Sequence, residues 1–112
     1  MRERANALLV LPFTFAHAAQ IADLAAQKRL PAIYGFIQSV ETGGPMAYEA
    51  SAPEMFWRAA TYVDKILKGA KPADLPIEQP TKFDFVINLN AAKQIGLTIP
   101  PNVLARANRV IK

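Results

Sequence analysis

The sequence predicts an α/β fold in which helices flank a short parallel sheet. The first indication is the apolar run Ala7–Leu11, whose continuous hydrophobicity is typical of a strand buried on both faces. The second is the segment Phe15–Arg29, in which apolar residues recur with the period of a helix. The third is a short apolar strand at Pro31–Gly35. A strand, a helix and a strand in this order imply parallel strands joined by a right-handed crossover.

The first helix is expected to cover one face of that sheet. Its inward side would carry Ile21, Leu24 and Ala25, with charged residues pointing to solvent. After the second strand, the pair Gly43–Gly44 interrupts the chain before a third extended segment, Pro45–Tyr48. The glycine pair lacks the lysine and the serine or threonine that follow in a phosphate-binding loop, so it indicates a turn.

The second long helix is predicted to begin at Ser51 and to end at Gly69. Ser51 and Glu54 are spaced as a capping box, and Pro53 is compatible with the first turn. Gly69 is expected to stop the helix because glycine adopts the left-handed conformation at low cost. The apolar residues that recur at helical spacing are expected to be buried; they are Phe56, Ala59, Ala60, Val63, Ile66 and Leu67.

The remaining chain predicts one further strand and two short helices. Lys71–Thr81 is a proline-rich connector without periodicity. Lys82–Leu89 alternates apolar and polar residues, as a half-buried strand does, and this strand could lie at the edge of the sheet. Asn90 is a candidate cap for a helix ending at Gly96. A last amphipathic helix is predicted after the two prolines at positions 100 and 101; its apolar residues are Val103, Leu104, Ala107, Val110 and Ile111.

Length and composition favour one ordinary globular domain. The chain has 112 residues, of which 52% are hydrophobic and 20% charged, and its net charge is +4. The cations are scattered, which favours a solvated basic surface over one that binds nucleic acid. No cysteine is present, so disulfides and thiolate chemistry are excluded. The apolar run Ala7–Pro12 is too short for a signal peptide or a membrane span, so the chain as written is expected in the cytoplasm unless an upstream portion is missing.

Residues that could carry out catalysis are scarce. His17 is the only histidine, and no recognisable motif places a serine or a carboxylate beside it. A solvent-facing histidine is therefore favoured over a general base, and one histidine with scattered carboxylates does not make a metal site. The sequence predicts a protein that is not an enzyme and that uses no cofactor or metal.

A small-molecule site is predicted where the parallel strands end. In open parallel sheets, ligands bind beyond the carboxyl ends of the strands. The aromatic and hydroxyl residues expected at those ends are Phe13, Thr14, Tyr34, Phe36 and Tyr48. They would suit a small organic solute with an apolar or aromatic part. The alternative is that these aromatic residues close the core beneath the loops.

Several long segments resemble one known family. They are Leu30–Gly35, Gly43–Tyr48, Arg58–Gly69, Ala70–Phe83, Val86–Leu89 and Gly96–Pro100, and together they extend over nearly the whole chain. On these segments the chain is similar to the C-terminal third of the ABC transporter substrate-binding proteins that include tryptophan- and tyrosine-associated binding lipoproteins. The resemblance implies a partial periplasmic-binding-protein type I fold, from a receptor whose two lobes enclose a cleft and deliver a solute to a membrane permease. It also implies a periplasmic location if an upstream portion is missing.

The resemblance also divides the chain into two parts. Residues 1–44 would correspond to the end of the second lobe, and residues 45–112 to a crossover and part of the first lobe. Two positions depart from the family pattern. Leu11–Thr14 lacks the acidic residue that usually follows the proline, and Ala47 stands where a small hydroxyl residue is common. Both departures predict that binding of a solute, such as an amino-acid-like one, is weak or lost.

The apolar stripe of the helix Ser51–Gly69 would lack the sheet that it covers in such receptors. Burial of this stripe against a second copy of the chain predicts a homo-oligomer, most simply a dimer, that completes the fold. Three functions are therefore considered. The first is a truncated homologue with weak or absent solute binding. The second is a small solute-binding module whose cleft is rebuilt in a homodimer, and the third is a protein-interaction module.

Overall fold

The computed structural model describes residues 4–112. Its strands are β1 (Leu8–Val10), β2 (Ala32–Tyr34), β3 (Met46–Ala50), β4 (Phe83–Asn88) and β5 (Arg109–Ile111). Its helices are α1 (Ala18–Gln27), α2 (Gln38–Glu41), α3 (Ala52–Leu67), α4 (Leu89–Gln94) and α5 (Pro101–Leu104). Short 3-10 helices lie at Pro12–His17 and Pro72–Asp74.

The five strands form one sheet in the order β1-β2-β3-β4-β5. The pairs β1–β2, β2–β3 and β4–β5 are parallel. This confirms the predicted α/β class and the predicted parallel pairing of the first two strands. The amide of Asn88 donates to the carbonyl of Pro45, and the amide of Ser51 donates to that of Lys82, both at 2.9 Å. These two bonds join opposite ends of β3 and β4, so that pair is antiparallel. Since β4 lies between β3 and β5, the expectation of an edge strand is wrong.

The described chain forms two compact units, residues 4–49 with 84–112 and residues 50–83. In the first unit both faces of the sheet are covered. One core contains Tyr34, Ala47 and Val86 together with the buried alanines of α1. The other core contains Ile87 with Ala92 of α4, on the opposite face of β4 because neighbouring strand residues alternate. Two apolar layers therefore fix the sheet between helices.

Helix α1 is shorter than the predicted Phe15–Arg29 and buries part of the predicted inner side. The segment before it, Pro12–His17, is a 3-10 helix rather than the first turns of α1. The buried residues of α1 are Ala18, Ala22 and Ala25, and Ile21 packs against the same core, so the inward placement of Ile21 and Ala25 is confirmed. Leu24 is 52% exposed, so the prediction that it faces inward is wrong. Small side chains recur every three or four residues on this face, which lets the helix approach the sheet closely.

The cap of α4 lies two residues earlier than predicted. Asn88, the last residue of β4, accepts a hydrogen bond from the amide of Ala91 at its Oδ1 atom (3.0 Å). Its Nδ2 atom donates to the carbonyl of Val40 at 3.2 Å. The prediction of Asn90 as the cap is therefore wrong. Asn88 at the end of β4 accepts from the free amide at the start of α4 and also donates to the carbonyl of Val40.

The predicted last helix is only one turn long. After α5 the chain extends into β5, and Val110 and Ile111 pair with β4 instead of lining a helix. Asn108 fixes this change: its amide donates to the carbonyl of Phe85 at 2.8 Å, and its Oδ1 accepts from the amide of Phe85 at 2.7 Å. Sheet pairing outweighs the helical spacing here, consistent with the preference of β-branched residues for strands.

In the second unit, α3 has the predicted bounds but not the predicted burial. Its N-terminal flank Ser51 makes no side-chain cap hydrogen bond, so the expected capping box does not form. The end at Gly69 is confirmed, with φ of +104°. No residue of α3 is buried; Phe56 is 77% and Leu67 is 81% exposed. The predicted buried stripe is therefore wrong for this chain, and α3 presents an apolar surface.

Candidate functional site

The loops that follow β1 and β2 meet at the carboxyl edge of the parallel strands. The register aligns Val10 with Tyr34 and Tyr34 with Ala47, so the three strands end at the same side of the sheet. The amide of Gly35 donates to the carbonyl of Val10 at 2.8 Å. A Cβ atom on Gly35 would lie 2.8 Å from the Pro12 side chain, so the close approach of these loops requires glycine.

Two of the five predicted site residues lie in the core beneath these loops. Tyr34 is fully buried and Phe36 is 5% exposed. Their rings pack edge to face with centroids 5.9 Å apart, and Phe15 packs on Phe36 at 5.5 Å. Burial raises the pKa of the Tyr34 hydroxyl, which has no hydrogen-bond partner among the described residues. This placement agrees with the core interpretation for Tyr34 and Phe36.

Two other predicted residues lie on the exposed loop after β1. Phe13 is 84% exposed. The Thr14 hydroxyl donates to the carbonyl of Leu11 at 2.8 Å, and its oxygen keeps the capacity to accept a further bond. An exposed ring and a hydroxyl are therefore adjacent on one 3-10 turn.

Tyr48 lies at the same edge but on the opposite face of the sheet. It follows Ala47, which shares the core of Tyr34, and adjacent strand residues point to opposite faces. The Tyr48 ring packs edge to face on Phe85 with centroids 6.2 Å apart and remains 50% exposed. The structure therefore groups Tyr34 with Phe36 and places Tyr48 apart from them.

Glu49 is a polar residue at this edge that the sequence reasoning missed. Its Oε2 atom accepts a hydrogen bond from the amide of Ile37 at 3.0 Å, which ties the end of β3 to the loop after β2. Glu49 is half-buried. The available signal was a carboxylate directly after Tyr48 at the end of a predicted strand, the position at which parallel sheets bind ligands.

The second unit contains a cavity of about 540 Å³ between α3 and the connector that follows it. Its lining is mainly apolar and includes Met55, Ala59, Ile66, Leu75 and Ile77. At its side, Arg58 forms an ion pair with Glu78, and the Tyr62 hydroxyl donates to the carbonyl of Pro76 at 2.5 Å. The hydrogen bond from Arg58 lowers the pKa of Glu78. Sequence reasoning assigned no site here, because the connector has no periodicity that predicts its fold against α3.

Residues 4–112 give little support to a metal site, a catalytic histidine or a membrane-spanning helix. No cluster of three or more histidine, cysteine, aspartate or glutamate side chains in this part of the chain could hold a metal ion. His17 is exposed at the end of its 3-10 helix. Within the same residues, no helix combines the length and the apolar character needed to cross a membrane.

Comparison with known proteins finds one family and several solved structures. The family model for ABC transporter substrate-binding proteins matches residues 3–111. A conserved domain protein from Vibrio cholerae has a similar structure, with 29% identity, a TM-score of 0.86, and coverage of 94% of this chain and 36% of that one. No curated protein matches the chain.

Two further structures show the same fold. An ABC domain from Streptococcus pneumoniae, solved in complex with L-Trp, is 25% identical with a TM-score of 0.80, covering 92% of this chain and 36% of that one. The ligand-free, open structure of a Clostridium difficile substrate-binding protein with adhesive properties is 18% identical with a TM-score of 0.67, covering 94% and 36%. The chain thus spans about a third of the length of these similar proteins.

Proposed function

This chain belongs to the family of ABC transporter substrate-binding proteins, and from that membership we propose that it binds a small organic solute for import. The observation that carries the proposal is the family match over residues 3–111, together with the polar and aromatic residues at the carboxyl edge of β1–β3. Such a receptor delivers its solute to an ABC permease. Members of the family are normally extracytoplasmic, and we propose the same location here.

We propose that the solute binds across the carboxyl edge of the sheet, with Phe13 and Thr14 contacting it from the loop after β1 and Tyr48 from the opposite face. All three carry exposed rings or hydroxyl groups at the strand ends, where open parallel sheets bind ligands. The buried pair Tyr34 and Phe36 supports the loops from below. The L-Trp bound to the Streptococcus pneumoniae relative supports an amino-acid-like solute.

We further propose that this chain alone binds its solute weakly. It spans 36% of the length of the similar structures, and residues 1–44 and 45–112 would derive from the end of one lobe and from a crossover with part of the other. Ligand pockets commonly enclose 70–90% of a ligand's surface. One sheet edge covers a solute from one side only, so much of the usual contact area is absent.

The proposal predicts that aromatic and branched amino acids raise the melting temperature of the purified chain. Ligand at ten times its Kd stabilises the folded state by about 1.4 kcal/mol, which raises the melting temperature by roughly 5 °C. Tyr48→Ala is expected to remove this response, because its ring is half-exposed at the proposed site.

Tyr62→Ala is the matched control, since Tyr62 lines the cavity of the second unit rather than the sheet edge. Retention of the thermal response in this variant supports the sheet-edge site. Loss of the response in Tyr62→Ala and its retention in Tyr48→Ala would contradict the proposal and assign binding to the cavity.

Self-association is a second candidate property, favoured by the exposed face of α3. Phe56, Ala60, Val63 and Leu67 recur at spacings of four, three and four residues, as in the seam of a helix pair. None of them is buried. We propose that a second copy of the chain covers this seam through a two-fold symmetric contact, which would rebuild a cleft from two chains.

Sedimentation velocity at micromolar concentration is expected to give a dimer. Val63→Asp should convert it to a monomer, because a charge in an apolar seam is poorly solvated. Ile77→Asp makes the same kind of change at a fully exposed residue outside α3 and should leave the dimer intact. A compact monomer of the native chain, or a chain that associates only with a different protein, would contradict the dimer.

A further inference from the structure

We propose that Glu49 binds the ammonium group of the amino-acid-like solute. This inference rests on the proposed function and adds the residue that selects among solutes. It is carried by the geometry of the Glu49 carboxylate, by its lack of a basic partner among residues 4–112, and by the aromatic ring of Phe15, which packs on the loop that Glu49 holds.

The carboxylate is held in place by one of its two oxygens. Oε2 of Glu49 accepts the amide hydrogen of Ile37 at 3.0 Å. Within residues 4–112, Oε1 has no hydrogen-bond partner. An ionised carboxylate offers about four acceptor positions, so the fixed group retains capacity for a donor from a ligand. Positioning by the protein before binding lowers the entropy cost of ordering this side chain.

No basic side chain neutralises Glu49 in the described part of the chain. The ion pairs found there involve the carboxylates of Glu78, Asp64 and Glu41. Glu49 is half-buried and has no opposite charge beside it in this part of the chain. An ammonium group of a ligand would supply that charge, and hydrogen bonds between ionised groups are stronger than those between neutral ones.

An aromatic surface lies beside the same loop. Phe36 directly precedes Ile37, whose amide donates to Glu49. The Phe36 ring packs on Phe15, which is 56% exposed. The carboxylate and this exposed ring both contact the two-residue segment 36–37. In this proposal the amino acid places its ammonium group at Glu49 and its side chain against Phe15.

A purely structural role for Glu49 makes a different prediction. If its carboxylate only holds the Ile37 amide, Glu49→Gln keeps that role, because the amide oxygen of glutamine accepts the same bond at the same chain length. The substitution removes the negative charge and leaves the shape of the site. Any selective loss of ammonium-bearing ligands therefore reports on recognition rather than on folding.

The test is a titration of the full chain, followed by NMR, with L-tryptophan and L-leucine and with their analogues without the ammonium group, 3-indolepropionate and 4-methylpentanoate. We expect the native chain to prefer each amino acid, and Glu49→Gln to weaken amino-acid binding by about tenfold or more. The same variant should not weaken binding of the analogues. Glu41→Gln, which alters an exposed carboxylate paired with Arg109, is the control and should change neither.

The titration separates the role of Glu49 from solute binding itself. If the native chain binds amino acids and analogues equally, or if Glu49→Gln binds the amino acids as tightly as the native chain does, the role of Glu49 is refuted while solute binding stands. If the native chain binds none of the four compounds at millimolar concentration, the proposed function fails and this inference fails with it.

Discussion

Ile87→Ala is expected to lower the free energy of unfolding by about 2–5 kcal/mol, the largest effect of any single change proposed for this chain. Ile87 is fully buried in β4, in the core that also contains Ala92 and Ile99. Truncation removes three methyl or methylene carbons and leaves a cavity that the neighbouring alanine is too small to fill. Urea denaturation followed by circular dichroism gives the change directly as a shift of the midpoint.

Ile77→Ala is the matched control because it makes the same truncation at a residue that is fully exposed. Its cost should be below about 0.5 kcal/mol. Equal losses in the two variants would mean that β4 is not an interior strand of a packed sheet. A change in the slope of the transition, rather than its midpoint, would instead report an altered unfolded state.

Asn88→Ala has the second largest expected effect, a loss of about 1–3 kcal/mol. The side chain caps α4 through the Ala91 amide and also donates to the carbonyl of Val40. Its removal takes away a helix cap and a bond that joins β4 to the end of α2. The loss is measured by the same denaturation experiment.

The control is Asn90→Ala, two residues further along the chain and exposed. This residue is the cap that spacing alone predicts, so the pair of variants separates the two assignments. We expect Asn90→Ala to change stability by less than about 0.5 kcal/mol. A larger loss from Asn90→Ala than from Asn88→Ala would contradict the observed hydrogen bonds.

Local patterns were sufficient to predict most strands but not the last one. The continuous apolar run before Leu11 and the alternation of Phe85 and Ile87 are patterns that a single segment contains, and both strands were found. Val110 and Ile111 also fit a helical spacing, and only their pairing with β4 excludes it. That pairing depends on Phe85 and Asn108, which are 23 residues apart in the sequence.

Which residues are buried, and which residues form the site, depends even more on contacts between distant parts of the sequence. Periodicity predicts which face of α3 is apolar, yet burial requires a second surface, and Phe56 and Leu67 remain exposed. Position after a strand identified Tyr34 and Tyr48 as candidates, but the strand register places them on opposite faces. The position of Glu49 after a predicted strand is a weak signal on its own, because its hydrogen bond is made to an amide twelve residues away in the sequence.

Titration of the ¹⁵N-labelled chain with L-tryptophan, followed by two-dimensional NMR, tests solute binding at the sheet edge most directly. We predict saturable shifts of the amide signals of Phe13, Thr14, Tyr48 and Glu49, with little change in the signals of residues 72–80. The absence of shifts up to millimolar ligand, or shifts confined to the cavity residues of the second unit, would contradict a solute site at the carboxyl edge of β1–β3.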